Sequence, residues 1–172
     1  MIDIETMADL HNSAIVSIGA VRFDLETGKL GEEIEINVDL QSCLDYGLQV
    51  TAGTIKWWLA RNETARAVIA NAVGVSLPEA LLKLSKFINK DDSVWSNGLR
   101  FDAAIVENAY RTCKIPVPWD HRKEMDVRTL VSFAPEIKER VVKAFTEPAH
   151  TPVNDCKKQI LYCTETYNKL KI

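Results

Sequence analysis

The sequence predicts an α/β fold in which an antiparallel meander forms one side of a sheet and helices pack against that sheet. Two observations predict it. Three strand-like segments come first, and helical patterns then alternate with short strand patterns, in the order βββ, α, β, α, β, α. In addition, 172 residues, 47% of them hydrophobic and 26% charged, suffice to bury one complete core. We therefore expect a single domain over residues 1–172.

The meander is predicted from strand patterns near the start of the chain. Residues 1–7 form the first candidate strand, and residues 14–23 are rich in β-branched side chains. A turn signal at residues 26–29 is followed by residues 33–38, where polar and apolar side chains alternate strictly. Together these segments predict three consecutive antiparallel strands.

The remaining elements are predicted from helix caps, apolar periodicity and prolines. Ser76-Leu-Pro-Glu79 fits a capping box, and apolar residues follow it at helical spacing. Pro116 and Pro118 end a later helix. In chain order, the predicted elements are a short helix capped by Thr54, a helix from Asn62 through Ala70, a helix ending near Asn89, a strand over residues 93–96, a helix over about 101–113, a strand over 124–127, two short helices over 128–144 and a helix over about 153–170.

Composition and charge narrow the classes of function. The net charge of −3 and the pI near 5.7 argue against a protein that wraps duplex DNA through basic residues. No apolar run approaches the roughly 18 residues of a membrane span, and the acidic first strand is unlike a signal peptide. We therefore expect no membrane partner and a cytoplasmic location. The four cysteines form no C-x-x-C pair, which favours buried thiols over a zinc site or a disulfide.

Asp3 and Glu5 are the most informative residues of the sequence. Side chains two positions apart in a strand project from the same face, so both carboxylates point the same way, roughly 7 Å apart. Two like charges held together repel each other unless a cation lies near both. The pair therefore predicts a site for a divalent metal ion.

Three further polar residues have ordinary explanations when they are taken singly. Asp102 and Asp155 each lie in the first turn of a predicted helix, where capping and the helix dipole favour an aspartate. His150 lies five residues before Asp155 on the loop that leads into the last helix, and a lone loop histidine is usually solvated. Their order along the chain, after the acidic pair, makes coincidence the weaker explanation.

In this order the residues resemble the DEDDh group of 3′-to-5′ exonucleases, over nearly the whole chain. Asp3 and Glu5 match the first motif of that group, Asp102 matches the second, and His150 with Asp155 matches the third. The resemblance implies a ribonuclease H-like fold, in which a mixed central sheet of an antiparallel meander and then parallel strands is flanked by helices.

Further segments look like one branch of the group, that of phage exonuclease A, the exonuclease VIII-like proteins and bacterial 3′-5′ exoribonucleases. They are Thr54-Ile-Lys-Trp-Trp58, Trp95-Ser-Asn-Gly98 with Phe101 and Asp102, and Asp126-Val-Arg-Thr129. The chain departs from that branch at Arg61 and Asn62, and at Pro152, where the branch usually has alanine. A proline there stiffens the loop that carries His150.

The resemblance implies hydrolysis with two divalent metal ions, Mg²⁺ or Mn²⁺, for which the four carboxylates supply hard oxygen ligands. Asp3 would bridge both ions, while Glu5 and Asp155 would hold the ion that activates water. Asp102 would complete the second site, chiefly through bound water. His150 would take the proton from the attacking water, a task that suits an imidazole.

The implied substrate is single-stranded or 3′-overhang DNA or RNA in a bacterial or phage setting, and the resemblance also allows a homodimer. Adjacent Trp57 and Trp58 point about 100° apart on a helix, so one can pack in the core while the other stacks on a base. The candidate substrate-binding residues are Thr6, Met7, Trp57, Trp58, Asn97 and Phe101.

Two other functions stay open at this point. A ribonuclease H-like endonuclease would use the same metal ions without needing His150 in its position, and a substrate with a blocked 3′ end separates it from an exonuclease. A catalytically silent nucleic-acid-binding module would keep the acidic site for folding. The complete set of four carboxylates and one histidine favours an enzyme over that module.

Overall fold

The first three strands form an antiparallel sheet in the computed structural model, which describes residues 1–70, 73–148 and 150–171. The strands are β1 (Ile2–Thr6), β2 (Ile15–Phe23) and β3 (Leu30–Asn37), with β2 in the middle. Asp3 lies opposite Gly19, and Glu5 lies opposite Ser17. The predicted meander is therefore confirmed to within a few residues at the strand ends.

Two shorter strands form a parallel pair. They are β4 (Val94–Ser96) and β5 (Glu124–Asp126), and β4 lies next to β1. Strands were predicted at both positions, over residues 93–96 and 124–127. The α/β prediction, with antiparallel strands first and parallel strands after them, is confirmed.

The helices, in chain order, are α1 (Leu40–Asp45), α2 (Ala52–Leu59), α3 (Glu63–Ala70), α4 (Leu77–Phe87), α5 (Asp102–Thr112), α6 (Val127–Val131), α7 (Pro135–Ala144) and α8 (Pro152–Leu170), with a short 3₁₀ turn at His121–Lys123. Asn62 precedes α3 as predicted, and its side-chain oxygen accepts a hydrogen bond from the backbone N–H of Ala65. The sequence analysis missed α1, because a helix of one and a half turns has no measurable periodicity. In the described part of the chain, none of the helices combines the length and the apolar character that crossing a membrane requires.

Two of the predicted caps differ from the observed ones. Thr54 lies inside α2, whose N-cap is Thr51, and the Thr51 hydroxyl accepts a hydrogen bond from the backbone N–H of Thr54. Ser76 is the N-cap residue of α4, but its side chain makes no capping hydrogen bond, so the predicted capping box does not form. The hydroxyl of Ser42 on α1 instead accepts from the backbone N–H of Leu77 at 2.8 Å. A hydrogen bond to a distant part of the chain thus takes the place of the local capping bond that was predicted for Ser76.

Helix α8 packs across β1, β2 and β3 and forms much of one core cluster. Cys156, Ile160 and Cys163 are fully buried on the side of α8 that faces the sheet. The four cysteines are free thiols, and all of them except Cys113 are buried as small apolar side chains.

The start of α8 lies so close to β2 that only a glycine fits between them. A Cβ atom on Gly19 would lie 2.6 Å from the backbone carbon of Pro152 and 2.7 Å from the backbone nitrogen of Val153. Pro152 is buried at the first position of α8, where a helix does not use the backbone N–H that proline lacks. The proline that departs from the branch pattern therefore seats the helix against the sheet.

We expect Gly19→Ala to lower the free energy of unfolding by about 1–3 kcal/mol, because the added methyl group must push α8 away from β2. Urea denaturation of the wild type and the variant measures the difference. Gly53→Ala is the matched control: Gly53 lies in α2 with open space around its Cα, so the same change should leave stability equal or raise it by up to about 1 kcal/mol. Equal stabilities for the wild type and Gly19→Ala would contradict the close approach.

Candidate active site

Three carboxylates meet where β1 faces the first turn of α8. Asp3 and Glu5 alternate along β1 with the buried side chains of Ile2 and Ile4, so they share the opposite face of the strand. Asp155 lies in the first turn of α8. One oxygen atom from each of these three carboxylates lies within 4.8 Å of the others.

Asp102 brings a fourth carboxylate to the same place. It begins α5, is 4% exposed, and its Oδ1 accepts a hydrogen bond from the backbone N–H of Ile4 at 3.3 Å. Ile4 lies between the two acidic residues of β1, so this bond fixes Asp102 beside them. All four carboxylates line one cavity of about 240 Å³.

Burial and mutual repulsion make this cluster costly to ionise. Burial raises the pKa of Asp3 well above its ordinary value, and the neighbouring carboxylates raise it further. Burial, followed by Asp155 and Asp102, raises the pKa of Glu5 to about 8. Burial likewise raises the pKa of Asp102 to about 7. Carboxylates gathered against this repulsion form a donor set that suits a hard divalent cation.

Two side chains of α8 donate hydrogen bonds to the carboxylates. The ammonium of Lys158 donates to Oδ1 of Asp155, and Nε2 of Gln159 donates to Oδ1 of Asp3 at 2.6 Å. Gln159 is 3% exposed, and among the described residues nothing donates a hydrogen bond to its Oε1. The sequence analysis did not single out Gln159. Its spacing of four from Asp155, which puts both on one helix face, is the signal that was available.

His150 lies at the edge of the carboxylate cavity. Its backbone N–H donates to Oδ2 of Asp155 at 3.0 Å, and its Nδ1 is 3.9 Å from Oε1 of Glu5. The residue has a φ of 62°, a left-handed conformation that is uncommon outside glycine. Burial lowers the pKa of His150, although the charge of Asp155 opposes that shift. The imidazole is therefore neutral and able to accept a proton near pH 7.

The two tryptophans of α2 hold the His150 ring. The ring centroid of His150 is 5.1 Å from that of Trp57 and 5.9 Å from that of Trp58, both in edge-on arrangements. Trp58 is 3% exposed and its Nε1 donates to the backbone oxygen of Thr6 at 2.9 Å. Trp57 is 39% exposed, and the Arg61 guanidinium lies over its ring at 4.4 Å. The two tryptophans thus differ in burial, as their predicted angular separation requires.

A second cavity, of about 380 Å³, lies beside the carboxylates and is lined by both tryptophans. We name it the tryptophan cleft. It shares Ile4, Glu5 and Phe101 with the carboxylate cavity, and Thr6 forms another part of its wall. An apolar cleft that opens next to an acidic site has the character of a pocket for a nucleobase.

The remaining candidate residues lie at different depths. Asn97 lines the carboxylate cavity, and its buried Oδ1 has no hydrogen-bond partner among the described residues. Met7 lies in the core, 7% exposed, with its N–H donated to the carbonyl of Ala14 and its own carbonyl accepting from Thr51. The position of Met7 matches core packing, whereas Asn97 forms part of the cavity wall.

The chain is similar to a family of known proteins over most of its length. The family model of the Rv2179c-like 3′-5′ exoribonuclease domain matches residues 1–167. No curated protein matches the chain.

In metal-free buffer with a chelator, we expect Glu5→Gln to stabilise the protein at pH 8 by at least about 1 kcal/mol. Because the pKa of Glu5 in the folded state is about 8 and its ordinary value is 4.5, the wild type loses stability as the pH rises through that range. Near pH 4.5 the Glu5 side chain of the folded wild type is largely protonated and therefore as uncharged as the glutamine of the variant, so the gain in stability should vanish. Urea denaturation at the two pH values measures it.

Glu35→Gln, on the exposed face of β3, is the matched control for loss of one negative charge. A gain that is equal at both pH values, or equal in the two variants, would show that the repulsion is not located at Glu5.

Proposed function

This chain belongs to the Rv2179c-like 3′-5′ exoribonuclease domain family and is a 3′-5′ exonuclease, and we propose that it acts by metal-dependent hydrolysis of the DEDDh type. Its substrate in this proposal is the 3′ end of single-stranded or 3′-overhang nucleic acid. The observation that carries the proposal is the convergence of Asp3, Glu5, Asp102, Asp155 and His150 on one cavity.

The arrangement of strands supports a ribonuclease H-like fold. A three-stranded antiparallel sheet with β1 at its edge, a parallel β4–β5 pair next to β1 and a long helix across the sheet together match the mixed sheet that the resemblance implies. The tryptophan pair and the Asp126-to-Thr129 segment support a place in the phage and bacterial branch of the DEDDh group.

The four carboxylates would hold two divalent cations, Mg²⁺ or Mn²⁺. Their oxygen atoms are the ligands these ions prefer, and the repulsion at Asp3 and Glu5 would be relieved by positive charge between them. When bound, the ions would supply Lewis acidity toward the phosphodiester and toward water. Gln159 would keep Asp3 in place, and Lys158 would do the same for Asp155.

His150 would accept the proton of the attacking water. A neutral imidazole with a lowered pKa suits a general base near pH 7. Trp57 and Trp58 would hold the ring through edge-on contacts, and the charge of Asp155 would stabilise the positive charge that appears on the ring. An endonuclease has no need of a base placed beside a pocket for a chain end.

The terminal nucleotide would lie in the tryptophan cleft. Trp57 offers an exposed ring face for stacking, Phe101 lies between this cleft and the carboxylates, and Thr6 forms the adjacent wall. Asn97 would form part of the wall of the carboxylate cavity beside the scissile phosphate. Trp58 and Met7 would support these residues from the core. The family's exoribonuclease description favours RNA over DNA as the substrate.

We expect a 5′-labelled single-stranded RNA to yield a ladder that shortens from its 3′ end in the presence of Mg²⁺ or Mn²⁺. Denaturing electrophoresis over time measures it, with the DNA of the same sequence run in parallel. Asp3→Ala, chelation of the metal ions and a 3′-phosphate on the substrate should each abolish the ladder, since each removes one requirement of the proposal. Internal cuts in the blocked substrate would point to an endonuclease instead.

We expect His150→Ala to lower kcat on the order of a hundredfold, because the attacking water loses its base. Metal binding should persist: the rise in melting temperature on adding Mn²⁺ should match that of the wild type. His121→Ala, at an exposed turn outside both cavities, is the matched control and should leave kcat unchanged. Loss of the metal-induced rise in His150→Ala would make the histidine a metal ligand rather than a base.

A further inference from the structure

Arg128 is a basic residue of the cavity to which the proposed reaction assigns no part. It lies at the start of α6, whose N-cap residue Asp126 accepts hydrogen bonds from the backbone N–H of Arg128 and from the hydroxyl of Thr129. These bonds hold the first turn of the helix in place. The Arg128 side chain lines the carboxylate cavity at an exposed position.

The guanidinium of Arg128 lacks the carboxylate partner that four of the eight arginines of the chain have. Arg22, Arg111, Arg122 and Arg140 each pair with a carboxylate. Within residues 1–70, 73–148 and 150–171, no carboxylate forms such a pair with Arg128. Its positive charge lies near enough to Asp102 to lower the pKa of that carboxyl, against the larger effect of burial. The hydrogen-bonding groups of the guanidinium therefore remain available to a ligand.

Gly98 provides the space in which the guanidinium lies. A Cβ atom at that position would be 3.0 Å from the guanidinium carbon of Arg128 and 3.1 Å from Nε. Gly98 also has a φ of +122°, a conformation that side chains disfavour. The backbone of the loop after β4 thus lies close to the guanidinium, and a side chain in place of Gly98 would displace the arginine.

The position of Arg128 relative to the tryptophan cleft indicates which part of a substrate it meets. Arg128 lines the carboxylate cavity but not the tryptophan cleft, whereas Trp57 and Trp58 line the cleft but not the carboxylate cavity. With the terminal nucleotide in the cleft and the scissile phosphate over the carboxylates, the rest of the strand would continue past the carboxylate cavity, whose wall includes Arg128.

We propose that Arg128 is a substrate-binding residue that contacts the backbone phosphate on the 5′ side of the scissile phosphodiester, an assignment that rests on the proposed function. A planar guanidinium donates two parallel hydrogen bonds to a phosphate, which sets the position of the strand as well as its affinity. Arg128 would thereby give the enzyme a preference for chains that continue beyond the scissile bond.

Two substrates separate this contact from one at the scissile phosphate. A diribonucleoside monophosphate contains the scissile phosphodiester alone, whereas a tetraribonucleotide adds phosphates on the 5′ side. We expect Arg128→Ala to raise the KM for the first cleavage of the tetranucleotide about tenfold, as loss of a charge-assisted hydrogen bond does. Hydrolysis of the dinucleotide should change by less than about twofold. Arg128→Lys, which keeps the charge and loses the planar fork, should fall between the wild type and Arg128→Ala.

Arg140→Ala is the matched control, because Arg140 lies on α7 and pairs with Glu165 outside both cavities. This variant also loses one positive charge, and its kinetics on the dinucleotide and on the tetranucleotide should equal those of the wild type. Equal losses on the dinucleotide and the tetranucleotide would place Arg128 at the scissile phosphate and overturn the proposal. Unchanged kinetics of Arg128→Ala on both substrates would overturn it as well.

A binding measurement keeps this proposal distinct from the proposed function. Fluorescence polarisation of a 5′-labelled tetraribonucleotide, with Ca²⁺ in place of Mg²⁺, reports affinity without turnover. Weaker binding by Arg128→Ala than by Arg140→Ala, in a protein that degrades neither substrate, would support the phosphate contact while the proposed function fails. A wild type that degrades the tetranucleotide, with unchanged affinity in Arg128→Ala, would overturn only the role of Arg128.

Discussion

The contact between α8 and β2 at Gly19 is the constraint on which the rest of the site depends. Gly19 pairs across the sheet with Asp3 and touches Pro152 at the start of α8. Strand β1, which carries Asp3 and Glu5, and helix α8, which carries Asp155, therefore both lie against Gly19 of β2. Gln159, one turn beyond Asp155, reaches Asp3 only because the helix begins where it does. A glycine without a positive φ is needed here for space.

Repulsion among the carboxylates is the second interaction that determines the properties of the site. Asp102 and most of Glu5 and Asp3 are buried, and few positive charges lie nearby to offset their negative charges. One that does is Lys158, which donates a hydrogen bond to Asp155. Such an arrangement opposes folding of the metal-free protein. A site whose negative charges repel each other in this way is suited to binding positive charge. In the proposed function, bound divalent cations would relieve this repulsion.

In the proposed function, the tryptophans of α2 would connect substrate binding to proton transfer. Trp58 is anchored in the core through the backbone of Thr6, while Trp57 forms part of the cleft, and both contact the His150 ring. A nucleotide stacked on Trp57 would thus press against the same cluster that orients the imidazole. His150 also adopts a left-handed backbone conformation, which is strained for a residue other than glycine. The hydrogen bond from its backbone N–H to Asp155 compensates for that strain. His150 and the four carboxylates are therefore positioned together.

The sequence by itself determined the order of strands and helices, the common face of Asp3 and Glu5, and the placing of Asp102 and Asp155 in first helical turns. These properties follow from side-chain periodicity and capping, which act between near neighbours along the chain. Only the tertiary structure decided that Ser42 rather than Ser76 satisfies the start of α4, that Trp58 is buried while Trp57 is exposed, and that Gln159 and Arg128 face the carboxylates. Those outcomes depend on packing between segments far apart in sequence, which a local pattern does not encode.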